Sequence, residues 1–383
     1  MIFNAPMFNA KRPVLIFGAG IRLAGACEEA LAFAHASGIP VAPTWAALDI
    51  MPHDDPLLIG SFGTHGTRYG NFAVQNSDCI IAIGSRLDTK ATGTPSNTFA
   101  RMARIILVDI DQTEIDKFQH IGLKVEGVCE DAKAFFLRVL PSVKAESYTE
   151  WYAQINDWKK RYPICPQEYY QEEGVNPYVL VKELSRLCVE GDIICCDTGC
   201  AVAWVAQAFE FKRGQRFIHA WNQTPMGYGL PAAIGAHYAS GRRIILVSGD
   251  GSFMMQNELA TVAGRKLPIK IVLLNNGGHA MCRQTQREWF GSKYESTSVE
   301  GGLCFPDFVK PARANGLQAE KLLHAQGALL TWLMSDDSPR LLEAMIDHSH
   351  EVIPKLFATK PLEEMQPYLD RDEFAKQMIV PML

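Results

Sequence analysis

No run of about 18 apolar residues free of charge occurs in the chain, which excludes a membrane-spanning helix. No basic block occurs either. Lys and Arg number 37 against 42 Asp and Glu, for a net charge of −5. That balance gives nucleic acid no purchase, and a phosphate ligand must be held by metal and backbone amides rather than by an Arg/Lys cluster. The ten cysteines lack paired zinc-ligand spacing. Cys195 and Cys196 lie in an apolar strand, so buried free thiols are expected, and a cytoplasmic location with them. The first residues, MIFNAPMFNAKR, lack the charged start and long apolar centre of a secretory leader. The GxGxxG dinucleotide spacing is also missing, because the next glycine after Gly18 and Gly20 is Gly25.

What is present is an ordinary globular composition: 383 residues, 48% hydrophobic and 21% charged, enough for two or three domains. The most informative run is Ser248 to Met281. An apolar strand, Ile244 to Val247, ends in Gly249-Asp250-Gly251-Ser252. A helical segment over Gln256 to Arg265 is broken by Pro268. A second apolar run, Ile269 to Leu274, ends in Asn275-Asn276-Gly277-Gly278. This reads as a β-α-β unit with glycine-rich polar loops at the carboxyl ends of both strands, where ligands bind in open α/β sheets. Asp250 offers a hard anionic oxygen, Asn276 a neutral one, and the Gly278 carbonyl a third. Mg²⁺ takes such oxygens together with phosphate oxygens. The amides of Gly251 and Ser252, and those beyond Gly278, can donate to a phosphate at a helix start.

These loops resemble the fingerprint of the thiamine-diphosphate enzymes: GDG, about two dozen residues, then NN. GDGSFMM, NELAT, LPIKIVLLNN and the upstream MGYGLPAAIGA are similar to the acetolactate synthase branch. One departure is that 23 residues separate Gly251 from Asn275, one short of the usual spacing, with the gap near Gln256-Asn257. The resemblance implies thiamine diphosphate and Mg²⁺ as cofactors, with Asp250, Asn276 and Gly278 on the metal. Gly249, Gly251, Ser252, His279, Ala280 and Met281 would line the cofactor. Met226 would be the apolar wedge that bends it, with backbone groups of Thr224 and Met226 on its pyrimidine edge. The Asp197-Thr198-Gly199 loop would approach the diphosphate. Cys200-Ala201 stands there in place of the family's Gln-His, which removes side-chain donors. For His279 a backbone-amide role is expected over acid–base catalysis. Where the synthases carry a tryptophan, Thr285 stands, which argues against plain acetolactate formation.

The expected fold class is α/β, with two Rossmann-like, doubly wound parallel-sheet domains. Residues 1–140 form the middle domain, 141–175 a linker, and 176–383 the diphosphate- and Mg-binding domain with a C-terminal tail. RPVLIFGAG, GTHGTRYGN, IGSRLD and LVDIDQTEI carry the resemblance of the first domain. In the synthases such loops embrace FAD; here Thr89-Lys90 replaces the usual second Asp-Arg, so FAD and an empty packing module both stand as readings. The linker, with Pro141, Pro163, Pro166, Trp151, Tyr152 and Trp158, is expected to cross between domains, its aromatics packing at their interface. The tail from Lys355 to Leu383 is expected to wrap over the surface.

The family's catalytic Glu lies in an N-terminal pyrimidine-binding domain of about 150 residues, and this chain begins at the middle domain. The resemblance therefore implies the large subunit of a split enzyme. It would decarboxylate a 2-oxo acid and pass the acyl fragment to an acceptor carbonyl, in a two-fold hetero-oligomer whose small subunit supplies the Glu. Simple decarboxylation, a non-catalytic cofactor-binding or scaffold subunit, and a truncated fragment are the alternatives.

Overall fold

The structure, a computed structural model, describes residues 10–324 and 327–383. The leader reading of the first nine residues lies outside them. No helix among the described residues is long and apolar enough to cross a membrane. The chain divides into two units, residues 1–164 with 353–383 and residues 165–352.

The first unit is built on strands β1 (Pro13–Phe17), β2 (Val41–Pro43), β3 (Cys79–Ile83), β4 (Arg104–Asp109) and β5 (Glu126–Cys129). All pair in parallel, in the order β2-β1-β3-β4-β5. β1 and β3 are apolar and buried along their whole length, as strands covered on both faces must be. The sheet reverses its winding between β1 and β3. There the backbone closes on itself: Gly18 N–H donates to the Ile83 carbonyl at 3.0 Å and Gly20 N–H to that of Gly84 at 2.9 Å. A Cβ on Gly18 would stand 2.1 Å from the Gly84 oxygen, so this close approach alone demands glycine.

The passage from the first unit to the second comes at Ile164–Cys165, inside the expected linker 141–175, but most of that stretch belongs to the first unit. Thr149–Arg161 is a helix whose Trp151 and Trp158 are buried in the first unit's own core. Trp158 packs on Phe72 with ring centroids 5.6 Å apart, and its indole donates to Gln377 Oε1 at 3.0 Å. Burying one such side chain contributes about 1.5–3 kcal/mol, and two on one face keep the helix with this unit.

The C-terminal tail also joins the first unit, where the sequence reading had placed it on the surface after the second domain. A short antiparallel pair, β12 (Lys355–Leu356) and β13 (Met365–Gln366), follows the return of the chain. Leu356, Leu362 and Phe374 enter the same core cluster as the sheet. Asn71 Nδ2 donates to the Leu362 carbonyl at 2.8 Å, and Asn76 Oδ1 accepts from Ile379 N–H at 2.7 Å. Glu363, fully buried, pairs with Arg101 at 2.7 Å.

The second unit carries β6 (Ile193–Cys196), β7 (Arg216–Ile218), β8 (Ile244–Gly249), β9 (Ile269–Asn275), β10 (Gln318–Leu322) and β11 (Arg340–Met345), again all parallel. Their order is β10-β11-β9-β8-β6-β7. β7 lies on one side of β6 and β8 on the other, so the winding reverses at β6 and opens a crevice at the carboxyl ends of β6 and β8. Both domains are therefore the doubly wound parallel sheets expected from the sequence.

Candidate cofactor and metal site

Four loops reach the crevice. The first, Asp197-Thr198-Gly199, leaves β6. The second, Thr224 to Gly229, precedes the helix Gly229–Ser240. The third, Gly249 to Ser252, leaves β8 into the single turn Asp250–Phe253. A fourth, Asn275 to His279, leaves β9 and opens the helix Ala280–Trp289. All four follow strand or loop ends of one sheet, so the sequence-predicted residues are brought together in one unit.

Asp250 is buried, and its carboxylate collects three backbone amides: Gly251 at 2.6 Å, Gly278 at 3.0 Å and Asn276 at 3.1 Å. Those bonds pull its pKa down. Desolvation outweighs them and raises it to about 6. Asn276 Oδ1 is buried without a hydrogen-bond partner. A buried unpartnered oxygen and a desolvated carboxylate, on residues joined by the Asn276 N–H bond to Asp250, are each costly, and a hard cation accounts for both. The Gly278 carbonyl accepts from Ala280 N–H at 3.1 Å, and a carbonyl's second lone pair remains for a metal. No three His, Cys, Asp or Glu side chains converge for a metal among the described residues. The donor set here is one carboxylate, one amide and one carbonyl, which suits Mg²⁺ and not a soft-ligand metal.

Gly251 joins the loops sterically. A Cβ there would meet His279 Cε1 at 2.3 Å and Met226 Cε at 3.3 Å. The His279 ring thus lies against the GDG turn, and burial followed by the nearby Arg283 cation keeps its pKa below the ordinary histidine value. Met226 is 38% exposed. An apolar side chain is therefore presented where the wedge was expected. Thr224, directly before Pro225-Met226, is held at φ +45°, a strained setting for a β-branched residue.

The structure revises several roles. The His279 amide donates to the Thr297 carbonyl at 2.9 Å, the Ala280 amide to Gly278, and the Gly251 amide to Asp250, so these three amides serve the protein's own loops. Asp197 is fully buried and accepts from Thr198 N–H at 2.9 Å, Gly227 N–H at 3.2 Å, Gly229 N–H at 2.8 Å and Gln256 Nε2 at 2.6 Å. Its carboxylate is occupied on both oxygens and holds the Met226 loop in place. Cys200 is buried at the first position of the helix Cys200–Ala208, behind Gly199. Ser252 is buried in the GDG turn, and Met281 lies in the first turn of the helix after the Asn276 loop. Thr285 is exposed on that helix, its hydroxyl turned back to the Met281 carbonyl.

Sequence reasoning missed Gln256 and Glu343. Gln256 sits where the spacing is one residue short. Glu343 is a carboxylate inside the apolar strand RLLEAM, and that misfit was the available signal.

The model of the thiamine pyrophosphate enzyme central domain matches residues 6–137, and that of the C-terminal TPP binding domain matches residues 197–344. The acetolactate synthase large subunit of Corynebacterium glutamicum is 34% identical over 388 residues, covering 96% of this chain and 61% of the relative. The acetolactate synthase isozyme 2 large subunit of Escherichia coli is 33% identical over 353 residues, covering 90% of this chain and 62% of the relative. The mitochondrial acetolactate synthase catalytic subunit of Saccharomyces cerevisiae is 33% identical over 372 residues, covering 93% and 53% respectively. The chain thus spans about three fifths of the length of the first two relatives.

Proposed function

The chain belongs to the thiamine pyrophosphate enzymes, and from that premise we propose that it is the large subunit of an acetolactate synthase-like enzyme. Its reaction is the decarboxylation of a 2-oxo acid and transfer of the acyl fragment to an acceptor carbonyl. The observation that carries the metal half of this reading is the desolvated Asp250 carboxylate together with the buried, unpartnered Asn276 oxygen. Asp250, Asn276 and the Gly278 carbonyl would hold Mg²⁺, which would supply positive charge to neutralise a diphosphate. When bound, thiamine diphosphate supplies a nucleophilic carbon and an electron sink for cleaving a carbon–carbon bond beside a carbonyl.

The protein's own contributions are positional. The Met226 loop, fixed by Asp197, presents an apolar side chain to the crevice. The helix Ala280–Trp289 is latched by Gln284, whose amide donates to the Val352 carbonyl at 3.3 Å, and by Gln286, which accepts from Thr297 Oγ1 at 2.7 Å. That helix carries Trp289 and, just past its end, Phe290, both exposed, which suit them to line an acceptor pocket. In this reading the general acid–base Glu comes from a separate small subunit; the relatives' designation as large or catalytic subunits supports an assembly of more than one kind of subunit, without bearing on the source of the Glu.

Isothermal titration of the full chain with thiamine diphosphate and Mg²⁺ tests the site. We expect one divalent-dependent site, abolished in Asp250→Ala. Equal binding by that variant, or none by the unaltered chain, overturns the assignment. Recovery of the chain from its own cells with these ligands tests the assembly. A stoichiometric partner of about one domain's size is expected, and the chain alone as the only product rejects the split enzyme.

A further inference from the structure

We infer that Glu343 is a positioning residue for the metal loop, acting through Asn275; this rests on the reading of Asp250, Asn276 and Gly278 as metal ligands. Glu343 lies in β11 with no solvent exposure. In the parallel register it stands beside Leu273 of β9, and Asn275 lies two residues on, so both side chains share one face. Asn275 Nδ2 donates to Glu343 Oε1 at 2.7 Å. The same side chain's Oδ1 accepts from Gly277 N–H at 3.0 Å. Asn275 is therefore a two-ended bridge from the sheet interior to the turn that carries Asn276 and Gly278.

The row continues away from the site. Lys321 of β10 faces Glu343 in register, its ammonium 3.3 Å from Glu343 Oε2. That is ion-pair distance without hydrogen-bond geometry, since Oε2 has no hydrogen-bond partner. Lys321 also reaches Asp307 at 3.6 Å. A polar line, Lys321–Glu343–Asn275–Gly277, thus crosses three strands of the sheet. A carboxylate costs free energy in such a place unless it is paired. Among the described residues, its only hydrogen bond to a side chain goes to the residue preceding the proposed metal-ligand asparagine. Among the described residues no hydrogen bond holds Asn276 Oδ1, so a ligand role for it needs the turn fixed from behind.

The test uses Mn²⁺ with thiamine diphosphate on the full chain, followed by the electron paramagnetic resonance of free Mn²⁺. Amide hydrogen exchange of residues 276–279 in the metal-free protein is measured alongside. Asn275→Ala and Glu343→Leu each remove the bridge from one end. A charge-assisted hydrogen bond corresponds to about tenfold in affinity, so each variant is expected to bind Mn²⁺ about tenfold more weakly, with faster exchange across the loop. The double variant should be no weaker than either single one, because one bridge is lost only once. Glu343→Gln, which can still accept from Asn275, should retain most of the affinity.

Unchanged loop exchange and affinity in Asn275→Ala and Glu343→Leu overturn the role of Glu343, as do losses that multiply in the double variant. If Glu343→Leu does not fold, Asn275→Ala and Glu343→Gln decide the matter by loop exchange. If the unaltered chain binds no Mn²⁺, the metal reading fails by itself. The exchange pattern then still decides whether Glu343 anchors the turn.

Discussion

Gln256 and Asp197 are 59 residues apart in sequence and joined by a 2.6 Å hydrogen bond in a fully buried setting. Asp197 leaves β6, and Gln256 follows the GDG turn of β8. Asp197 also accepts from two further amides, Gly227 and Gly229, that follow Met226. One carboxylate thus ties three loops of the crevice, and it does so without a cation, through N–H donors alone.

Gln256→Leu is expected to remove one charge-assisted donor and leave Asp197 with three backbone bonds. The cost in stability should be about 1.5–3 kcal/mol. Weakening of thiamine diphosphate affinity beyond that loss of folding would show the link to the Met226 loop. Urea unfolding and ligand titration of the same preparation separate the two. A variant as stable as the unaltered chain would mean that the bond contributes nothing.

Gly251→Ala is expected to block the site more than it disturbs the fold. The added methyl meets the far end of the His279 ring, which is half-buried and can rotate, rather than backbone. The rotated ring then occupies the crevice. Stability should fall by no more than about 1–3 kcal/mol, while thiamine diphosphate binding is lost. Gly251→Ala with His279→Ala should restore binding. Failure of the second substitution to rescue would show that the glycine is required for backbone approach to the ligand instead.

His65 gives a pH-dependent prediction for the first unit. Its ring is half-buried, its Nε2 is out of water and unpartnered, and burial followed by Lys355 and Lys90 lowers its pKa from 6.5 to about 4. A histidine depressed in the folded state binds fewer protons folded than unfolded once the pH drops below 6.5. Its contribution to stability is therefore present above 6.5 and lost as the pH falls towards 4. The loss should be about 2 kcal/mol after allowing for partial solvent screening. Urea unfolding at pH 7 and pH 4.5 should show His65→Gln losing less stability than the unaltered chain over that interval. Parallel losses in both would remove the effect.

Much of the fold could be read from local pattern. CIIAI at Cys79 to Ile83 is a continuous apolar run and forms β3 with those bounds. The β-α-β reading of Ile244 to Leu274 holds, with the helix shortened to Leu259–Gly264 because the GDG turn takes its own helical turn first. Asp250, Asn276 and Gly278 come together because strand ends of one parallel sheet must. What stayed hidden depends on distant partners. The occupation of the His279 amide by Thr297 and of Asp197 by Gln256 leaves no trace in nearby residues. The polar tail reads as surface because its anchors, such as Asn71 to the Leu362 carbonyl, span 291 residues.

That tail supplies a test of where the domain boundary lies. Leu362 is fully buried in the core that holds β1 to β4, and its carbonyl is held by Asn71. Leu362→Ala removes three buried carbons and leaves a cavity, at an expected cost of about 2–5 kcal/mol. The damage should be confined to the first unit. Hydrogen exchange should rise in β1, β3 and the helix Arg68–Gln75, while β8 and β9 keep their protection. Thiamine diphosphate affinity at a temperature below the first transition should be unchanged, because every proposed ligand-holding residue lies between Asp197 and Met281. Had residues 176–383 formed one domain with their tail, the same substitution would loosen β8 and β9 and weaken the cofactor. Increased exchange there would reject the division at Ile353.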